Sequence, residues 1–575
     1  MRVPTVALAL LLFAACGGSD STTPTTPPPP PPPVASVVLT GTPTGAISPG
    51  ANVNLSVVLR DAAGNTLSGR TITWSSTAPA VATVNNGVVT AVTVGSTTIS
   101  ASSEGQSASV QVTVAFIPAS IVIGRSTSFI LTGDTLQLTG RVIATTGQDI
   151  PGAAVVFTVE QPAIAGLAGT VLTGLAAGQA TIRATSGSLT ASATITVFPG
   201  SGVRVPLLSR LDSVVISEMV RLGQPGGAVA VVKDGRLVFS RTYGYADSAA
   251  KRIPTQNDKW RIGSVSKPLT ALGIMKLVQD GRLTLDELAE PRLAAVPVLP
   301  GKTQDPRFAN ITIRHLLQHA AGWNVSRNVD DSVFAFVYSA RTTDALQLSR
   351  VGRGVPLATA PGTTYAYSNY AYLLLGRIIE QVTGQTYESW MRTNILTPLG
   401  AGTMRFGRTP IASRDPLEVV PYDRRASITG FYGVGTWPNV GAAQEYAEAS
   451  GQWIGSSVDL ARVLAAVDGN ATRADILSAS SLATMWTRPT TFPGTGYYYA
   501  LGWESTAVAG GFAREHPGGQ DGGDAWVSLF PSNAGIAVQF NLTRGQGNGG
   551  GTAEAAIRQV FGSITSWPTI DLFTP

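Results

Sequence analysis

The chain has 575 residues, which is too long for one ordinary domain, so several domains are expected. Hydrophobic residues make up 44% of it and charged residues only 13%, which supports sizeable cores and excludes a wholly disordered chain. The formal net charge is +5 and no run of Lys or Arg occurs, so the composition gives no support for nucleic-acid binding. One cysteine excludes an internal disulfide and a Cys-rich metal site, and three histidines argue against a multi-His site.

The first sixteen residues are typical of a bacterial lipoprotein signal. Arg2 gives a positive start, and the apolar run over residues 6–15 is too short to span a bilayer. The run ends at Cys16 in the sequence Phe-Ala-Ala-Cys, which resembles a lipobox, although Phe13 stands where Leu is usual. We therefore expect export, lipid attachment at Cys16 and anchoring in the bacterial cell envelope. Gly17 favours the outer membrane or periplasm, and ordinary signal cleavage beside an incidental cysteine is the alternative.

A Pro-rich linker follows at residues 17–33 and ends in seven consecutive prolines. Such a run favours the extended polyproline II helix, which rises about 3.1 Å per residue. It therefore predicts a stiff stalk between a membrane and the rest of the chain. The alternative is a ligand for the aromatic groove of a partner domain.

An internal repeat follows the linker. A segment that begins at Gly50 recurs at Gly133, and a second that begins at Gly95 recurs at Gly178, so both recur 83 residues later. A repeat of that length is a domain rather than one turn of a solenoid. Short segments in which polar and apolar residues alternate, such as residues 109–114, are separated by Gly-rich turns. This pattern is typical of a β-sandwich.

The two units, residues 34–115 and 116–200, resemble bacterial Ig-like domains of group 2. The resemblance rests on the alternating segments and on the stretch from Gly87 to Val92. It implies two all-β Ig-like sandwiches, which in that family are usually spacers or surface-adhesion modules. A spacer is favoured here because no aromatic cluster or charged patch stands out as a binding face. The alternative is contact of these domains with the cell wall or a polysaccharide.

The sequence pattern changes near residue 201. Charged residues become more frequent, and apolar residues from Leu207 to Met219 recur with helical spacing. A hairpin follows, in which two strand-like segments flank the turn pair Asp234-Gly235. Helices and antiparallel strands are therefore mixed, which predicts an α+β domain over residues 201–575.

The first chemical motif is Ser264-Val265-Ser266-Lys267, at the start of an apolar pattern that predicts a helix. Residues three apart share a helix face, so Lys267 can reach the Ser264 hydroxyl. A serine hydroxyl is a weak nucleophile and needs a partner that takes its proton. Burial and the helix N-terminus both disfavour a charged ammonium group, so a neutral Lys267 can be that partner. The alternative is an N-capping serine followed by a surface lysine.

The second motif is Tyr367-Ser368-Asn369, which stands between a Pro-Gly turn and an apolar pattern with helical spacing. We therefore expect it on a loop before a helix, where polar groups face a cleft. A tyrosine near Lys267 can shuttle the proton, first as general base and then as general acid. Asn369 is expected to orient the substrate or Lys267. A core tyrosine followed by a turn asparagine is the alternative.

The third motif is His516-Pro517-Gly518-Gly519. Its glycine pair allows the backbone to approach a substrate closely. A backbone N–H of this segment, together with that of Ser264, is a candidate oxyanion hole. We expect His516 to bind or polarise the substrate, or to assist proton transfer. The alternative is a turn with an incidental histidine.

The three motifs, their order and their flanks resemble the serine β-lactamase and penicillin-binding protein superfamily, and class C-like serine hydrolases and esterases fit best. The resemblance covers about residues 205–565 and includes the flanking segments 260–267 and 311–323. It implies a five-stranded antiparallel sheet with flanking helices, beside an all-helical region. It also implies an acyl-enzyme on Ser264, substrate contact at Gly518, the second oxyanion N–H at Gly519, and no metal or other cofactor.

One departure from the family pattern bears on the substrate. Many β-lactamases carry Lys-Thr-Gly at the third motif, where this chain has His516-Pro517-Gly518, a form frequent in relatives that are esterases or D-amino-acid peptidases. We therefore expect hydrolysis of an ester or of a D-amino-acid amide or peptide. A D-alanyl-D-alanine carboxypeptidase or a β-lactamase is one alternative. A cell-surface binding protein that uses its Ig-like domains is an alternative of another class.

The histidine pair His315 and His319 does not predict a metal site. The two are four residues apart, but the intervening Leu-Leu-Gln lacks the glutamate of the zinc-protease pattern. They lie in a family segment that we expect to be structural.

Overall fold

The computed structural model describes residues 30–324, 328–340, 343–409, 411–422, 444–492, 494, 496–543, 545 and 552–573. The predicted signal peptide, Cys16 and most of the predicted linker lie outside these residues. The chain divides into two compact units. The first comprises residues 1–122, 141–155 and 186–189, and the second comprises residues 123–140, 156–185 and 190–575. In the part of the chain that the structure describes, no helix has the length and apolar character needed to cross a membrane.

The first unit contains the first Ig-like sandwich. Its strands are β1 (Ser36–Thr40), β2 (Asn52–Asn54), β3 (Ser56–Arg60), β4 (Thr66–Leu67), β5 (Thr73–Ser76), β6 (Ala82–Asn85), β7 (Val88–Ala91), β8 (Gly95–Ser103) and β9 (Gln106–Val114). They form three antiparallel sheets in the orders β1-β3-β4, β2-β7-β6 and β5-β8-β9. Alternate side chains of β8 and β9 are buried, among them Ile99, Ala101 and Val112. This period of two confirms the alternation that predicted a sandwich.

The strands of the second Ig-like sequence are β10 (Pro118–Gly124), β11 (Phe129–Leu131), β12 (Thr135–Gln137), β13 (Thr139–Ala144), β14 (Val156–Val159), β15 (Ala165–Ala168), β16 (Val171–Gly174), β17 (Gly178–Ser186) and β18 (Leu189–Phe198). They include a four-stranded sheet in the order β11-β18-β17-β14 and a three-stranded sheet in the order β12-β16-β15. Most of this sequence belongs to the second compact unit. The compact unit therefore extends across residue 200, where the sequence pattern changes.

The rest of the second unit contains one large sheet and one small sheet. Its strands are β19 (Gly200–Gly202), β20 (Gly226–Lys233), β21 (Arg236–Gly244), β22 (Trp260–Arg261), β23 (Arg405–Phe406), β24 (Trp453–Gly455), β25 (Tyr497–Tyr499), β26 (Glu504–Val508), β27 (Gly511–Gln520), β28 (Gly523–Leu529) and β29 (Ala534–Phe540). Eight strands pair in the order β19-β21-β20-β29-β28-β27-β26-β25, and β22-β24-β23 form a small second sheet. All eight run antiparallel to their neighbours. The five expected strands form its centre, and the short β19, β25 and β26 extend its edges to eight.

Helices cover both faces of the large sheet. They are α1 (Ser209–Leu222), α2 (Ser266–Gln279), α3 (Ala289–Arg292), α4 (Ile313–Leu317), α5 (Val329–Ala340), α6 (Ala345–Arg353), α7 (Asn369–Thr383), α8 (Tyr387–Met391), α9 (Glu448–Gly451), α10 (Ser457–Ala465), α11 (Ala479–Met485) and α12 (Glu554–Gly562). Val229 and Val231 of β20 pack in one apolar cluster with α1 and α12. Ala230 and Val232 of the same strand pack in another with α2 and α10. Successive side chains of a strand point to opposite faces, so one apolar strand serves two helical layers.

Local signals in the sequence determine several of these elements. The turn of the β20–β21 hairpin is Asp234-Gly235, and both residues have positive φ, 50° and 73°. That conformation is the one that a two-residue hairpin turn requires. Helix α1 ends at Gly223, whose φ of 61° is the usual left-handed termination of a helix. The predicted helix and hairpin at the start of this domain are both confirmed.

Candidate active site

The candidate nucleophile lies on a 3₁₀ turn, Gly263–Val265, that continues directly into α2. Gly263 has a φ of 49°, and a Cβ built on it would lie 2.9 Å from the carbonyl oxygen of Gly519. Glycine is therefore required for the backbone conformation and for the close approach of β27. The turn leaves Ser264 half-buried at the surface of the site, whereas Lys267 is fully buried one turn further on.

Lys267 joins the first two motifs. Its Nζ donates to Ser264 Oγ at 2.9 Å, to Asn369 Oδ1 at 2.8 Å and to the Ser450 carbonyl oxygen at 2.9 Å. Burial lowers the pKa of Lys267 to about 7, and the negative charge of Asp330 opposes that decrease. Neutral and charged forms of the amine are therefore both populated near neutral pH. The neutral form has a lone pair that can accept the proton of Ser264.

Tyr367 lies on the loop before α7, as the sequence predicts, and exposes 39% of its surface. Its ring centroid is 4.8 Å from Nζ of Lys267. Desolvation of the hydroxyl raises the pKa of Tyr367 well above its usual value, and a hydrogen bond with Ser264 opposes that increase. Tyr367 is therefore protonated at neutral pH. It is placed to pass a proton on rather than to begin the reaction as a tyrosinate.

Asn369 is the first residue of α7, and Ser368 caps the helix by accepting a hydrogen bond from the Ala371 N–H. The Asn369 side chain faces Lys267 through its oxygen and Asp330 through its nitrogen, at 2.8 and 3.2 Å. The geometry supports the predicted role of Asn369 in orienting Lys267. No contact in the structure tests its predicted role in orienting a substrate.

Asp330, at the start of α5, is a site residue that sequence reasoning missed. Its carboxylate accepts the backbone N–H groups of Asn369 and Tyr370, each at 2.8 Å, and the Ser368 hydroxyl at 3.1 Å. It thus satisfies unpaired N–H groups at the beginning of α7 and favours the charged form of Lys267. Asp330 and Ser368 are 38 residues apart, so no local pattern indicated the contact.

The third motif lies on β27 and packs directly against the nucleophile turn. A Cβ on Gly518 would clash with the carbonyl oxygen of Ile262, so this strand approaches the turn as closely as backbone permits. The nitrogen of Gly519 would lie 3.1 Å from a Cβ on Gly263. The backbone of Gly519 therefore stands beside Ser264, where the second oxyanion N–H is predicted. The substrate contact at Gly518 and the oxyanion role of Gly519 stay predictions.

His516 lies beside Tyr367, with the two ring centroids 6.3 Å apart, and is 1% exposed. Its Nδ1 is 2.7 Å from the Pro517 carbonyl oxygen, and because a carbonyl only accepts, Nδ1 carries the hydrogen. Its Nε2 is 3.0 Å from the Tyr499 hydroxyl. Both ring nitrogens therefore have partners within the chain. Direct substrate contact by His516 stays a prediction.

A cleft of about 210 Å³ opens beside Asn369 and Ser450. Its walls include Phe334, Leu373 and the ring of Tyr446, together with the carboxylates of Asp330 and Asp331. The cleft therefore has room for an apolar group beside Asn369, which is a hydrogen-bond partner of Lys267. Within the described parts of the chain, no three His, Cys, Asp or Glu side chains are grouped as a metal site would require.

Comparison with known families is in agreement with this arrangement. A family model described as Beta-lactamase matches residues 211–560, a range that contains all three motifs. A model described as Bacterial Ig-like domain (group 2) matches residues 33–114 and 119–197. These ranges coincide closely with the two repeats and with the sequence that follows them.

Individual proteins show more distant similarity. Protein flp of Staphylococcus aureus (strain COL) is 28% identical over 218 residues, which are 38% of this chain and 42% of flp. Esterase EstB of Burkholderia gladioli is 29% identical over 291 residues, which are 46% of this chain and 71% of EstB. The chain thus spans less than half the length of flp. The solved octameric penicillin-binding protein homologue from Pyrococcus abyssi shares the fold, with a TM-score of 0.50 and 24% identity over 61% of this chain and 80% of that one.

Proposed function

Because the chain belongs to the beta-lactamase family, with two bacterial Ig-like domains ahead of the family segment, we propose that it is a serine hydrolase that forms an acyl-enzyme on Ser264. The observation that carries this proposal is the contact between Lys267 and Ser264. A fully buried amine with its pKa lowered to about 7 lies 2.9 Å from the hydroxyl. An ordinary exposed lysine is charged at neutral pH and has no lone pair for the serine proton.

The first half-reaction forms the acyl-enzyme. Neutral Lys267 receives the Ser264 proton, directly or through the Tyr367 hydroxyl, while Oγ bonds to the carbonyl carbon of the substrate. The N–H groups of Ser264 and Gly519 are predicted to stabilise the charge that develops on the carbonyl oxygen. The tetrahedral intermediate then expels the leaving group, which takes a proton from Tyr367 while Tyr367 recovers one from the protonated Lys267, so that Lys267 is neutral again.

The second half-reaction restores the enzyme. Water loses a proton to the same Lys267 and Tyr367 pair and attacks the acyl carbon. The bond between that carbon and Ser264 Oγ breaks, and the serine oxygen recovers a proton. The raised pKa of Tyr367 supports its role as a proton donor in both halves, because the hydroxyl retains its proton until a stronger base is present.

We propose that the substrate is an ester, or else an amide or peptide of a D-amino acid, and we favour the ester. The His-Pro-Gly form of the third motif supports this choice over a β-lactam. Similarity to the esterase EstB over 291 residues supports it as well. The apolar walls of the cleft at Phe334, Leu373 and Tyr446 suit an acyl group with an apolar part.

Hydrolysis of p-nitrophenyl butyrate by the full chain tests the proposal. We expect turnover by the unaltered protein and a decrease in kcat of at least about 10⁴-fold in Ser264→Ala. Ser266→Ala is the matched control, because the buried Ser266 hydroxyl has no hydrogen-bond partner among the described residues. It should retain activity within about twofold. Retained turnover in a folded Ser264→Ala variant would refute the assignment.

A substrate panel separates the proposed function from its alternatives. Faster hydrolysis of p-nitrophenyl butyrate than of nitrocefin, with loss of both in Ser264→Ala, supports an esterase. A strong preference for D-alanine p-nitroanilide indicates a D-amino-acid amidase. Release of D-alanine from D-alanyl-D-alanine indicates a carboxypeptidase, and rapid nitrocefin hydrolysis indicates a β-lactamase. Binding of isolated peptidoglycan without any turnover would favour a surface-binding protein.

Envelope anchoring is a separate proposal that rests on the sequence around Cys16. We propose that the chain is exported and lipid-anchored, with the outer membrane or periplasm favoured. Radiolabelled palmitate should enter the full chain and not Cys16→Ser, and the unaltered protein should sediment with membranes. Equal labelling of both proteins would contradict lipidation at Cys16.

A further inference from the structure

His319 lies beneath the loop that carries the second motif. It follows α4 and is 1% exposed, with a left-handed backbone conformation at a φ of 55°. Among residues other than glycine, histidine, asparagine and aspartate adopt that conformation most readily. The reversal of the chain at this point turns both the carbonyl group and the imidazole of His319 towards the loop.

His319 accepts two hydrogen bonds, one from each of the residues that flank Tyr367. The His319 carbonyl oxygen accepts the N–H of Ala366 at 2.8 Å, and its Nδ1 accepts the N–H of Ser368 at 3.0 Å. The two neighbours of Tyr367 in the chain are therefore both hydrogen-bonded to His319, one to its backbone and the other to its side chain. The second of these bonds is fully buried, where a hydrogen bond is protected from competition with water.

The ring of His319 also contacts the ring of Tyr367. The two ring centroids are 4.3 Å apart with an angle of 35° between the planes. The rings of Tyr372 and Tyr499 contact the imidazole at 5.1 and 4.5 Å. These aromatic neighbours fix the imidazole, and the imidazole in turn limits the positions that the Tyr367 ring can take.

The hydrogen bonds determine the protonation of His319. A backbone N–H only donates, so Nδ1 must be unprotonated and a neutral ring carries its hydrogen on Nε2. Burial and the nearby charges of Lys267 and His516 lower the pKa of His319 well below its usual value. Its Nε2 is buried and has no hydrogen-bond partner among the residues described. The ring is therefore a neutral acceptor rather than a proton carrier.

We propose that His319 is a positioning residue that holds the Tyr367 hydroxyl at Ser264 by clamping the residues on both sides of Tyr367. The inference rests on the proposed function, since it assigns how the proton relay of that reaction is kept in place. It gives His319 no contact with the substrate. Loss of the clamp displaces the relay and slows the chemical step, while the cleft that binds the substrate is retained.

The kinetic test uses the full chain with p-nitrophenyl butyrate. His319→Ala removes the Nδ1 acceptor and the ring contact with Tyr367 but leaves the backbone carbonyl, whereas His319→Asn keeps an oxygen at the position of Nδ1 and tolerates the positive φ. We expect His319→Ala to lower kcat about 100-fold with KM within about twofold, and His319→Asn to recover at least about tenfold of that loss. His315→Asn is the control, because Nδ1 of His315 bonds within its own helix start, to the Thr312 N–H.

A double-mutant cycle separates positioning from general loss of structure. If His319 acts through Tyr367, then His319→Ala should lower kcat by less than about threefold in a Tyr367→Phe background. The same loss in both backgrounds would overturn the proposal, and so would an unchanged kcat in folded His319→Ala. Active sites are counted with a fluorophosphonate probe that reacts with the nucleophilic serine, so that kcat refers to folded enzyme only.

A second measurement does not depend on turnover. The protein has three histidines, so ¹⁵N-histidine spectra at neutral pH are simple to assign. We expect the signal that is lost in His319→Asn to show a hydrogen on Nε2 and none on Nδ1. A hydrogen on Nδ1 would overturn the clamp. If the unaltered protein hydrolyses nothing, the proposed function fails in the kinetic test, whereas these spectra still decide whether His319 accepts the Ser368 N–H.

Discussion

A buried ion pair links the second Ig-like sequence to the hydrolase sheet, and its removal gives a measurable prediction. Nη2 of Arg241, on β21, donates to both carboxylate oxygens of Asp134 at 2.8 Å. The Arg241 side chain is fully buried and that of Asp134 is 7% exposed. Both residues belong to the second compact unit. We predict that Asp134→Ala destabilises this unit by about 3 kcal/mol.

The magnitude follows from the partners that remain. Removal of one member of a buried ion pair costs about 3–5 kcal/mol, because the other charge stays buried without compensation. Here Asp212 remains 3.3 Å from Nη1 of Arg241 and compensates in part. The substitution also removes the acceptor of the Leu131 N–H, which donates to Asp134 Oδ2 at 3.0 Å. Loss of this hydrogen bond costs about 1 kcal/mol. The two corrections oppose each other. Asp212 is charged whereas the Leu131 N–H is neutral, so we expect the compensation by Asp212 to outweigh the lost acceptor, and the lower end of the range follows.

Urea unfolding followed by tryptophan fluorescence measures the effect. Of the ten tryptophans, only Trp74 precedes residue 201, so the signal reports mainly on the hydrolase region. The midpoint should fall by about 1 M urea. Glu160→Ala is the matched control, because it lies in the same compact unit and its partner Arg183 is 51% exposed at a distance of 3.1 Å, and an exposed pair contributes less than about 1 kcal/mol. Equal midpoints for the two variants would refute the reasoning.

Four further predictions concern the site and the domain boundary. The logarithm of kcat/KM should rise with unit slope below about pH 7 and level off above it, because Lys267 must lose its proton first; a flat profile would contradict this. Asp330→Asn should move that midpoint to lower pH, because the lost negative charge favoured the protonated lysine. Gly263→Ala should lower kcat about 100-fold, because the added Cβ would displace the backbone of Gly519. Gly384 also has a positive φ but no atom lies within 4 Å of an added Cβ, so Gly384→Ala should lower the urea midpoint and leave kcat unchanged. Residues 201–575 alone should unfold at lower urea concentration than the full chain, since they lack Asp134; an equal midpoint would count against the coupling.

The sequence predicted those parts of the site that lie within one element. Ser264 and Lys267 are three residues apart at a helix start, so their contact depends on helix geometry alone. The position of Tyr367 and Asn369 before α7 followed from a Pro-Gly turn and an apolar pattern with helical spacing. The third motif was expected beside the nucleophile because one of its backbone N–H groups is a candidate oxyanion partner of the Ser264 N–H, and the resemblance to a family assigned that group to Gly519. The structure shows β27 packed against the nucleophile turn.

The groups that determine the pKa of Lys267 and the position of Tyr367 could not be predicted from sequence patterns. Asp330 and the Ser450 carbonyl both act on Lys267, yet neither stands in a recognisable motif. His319 was expected to be structural, although it contacts the rings and the backbone around Tyr367. Each of these contacts joins segments far apart in the chain. Such pairs are formed by packing of whole elements, which short-range periodicity does not encode.

The same division holds for the fold. Period-two and helical patterns determined the Ig-like strands, the β20–β21 hairpin and α1, because these patterns depend on neighbours within a few residues. The short outer strands β19, β25 and β26 have too few residues to show a period. They form because the backbone groups at the edges of the central strands are otherwise unpaired. The sequence by itself thus determined the kinds of elements and the candidate nucleophile with its amine. Only the tertiary structure brought Asp134 to Arg241 and His319 to Tyr367, since burial of a common core decides which distant segments meet.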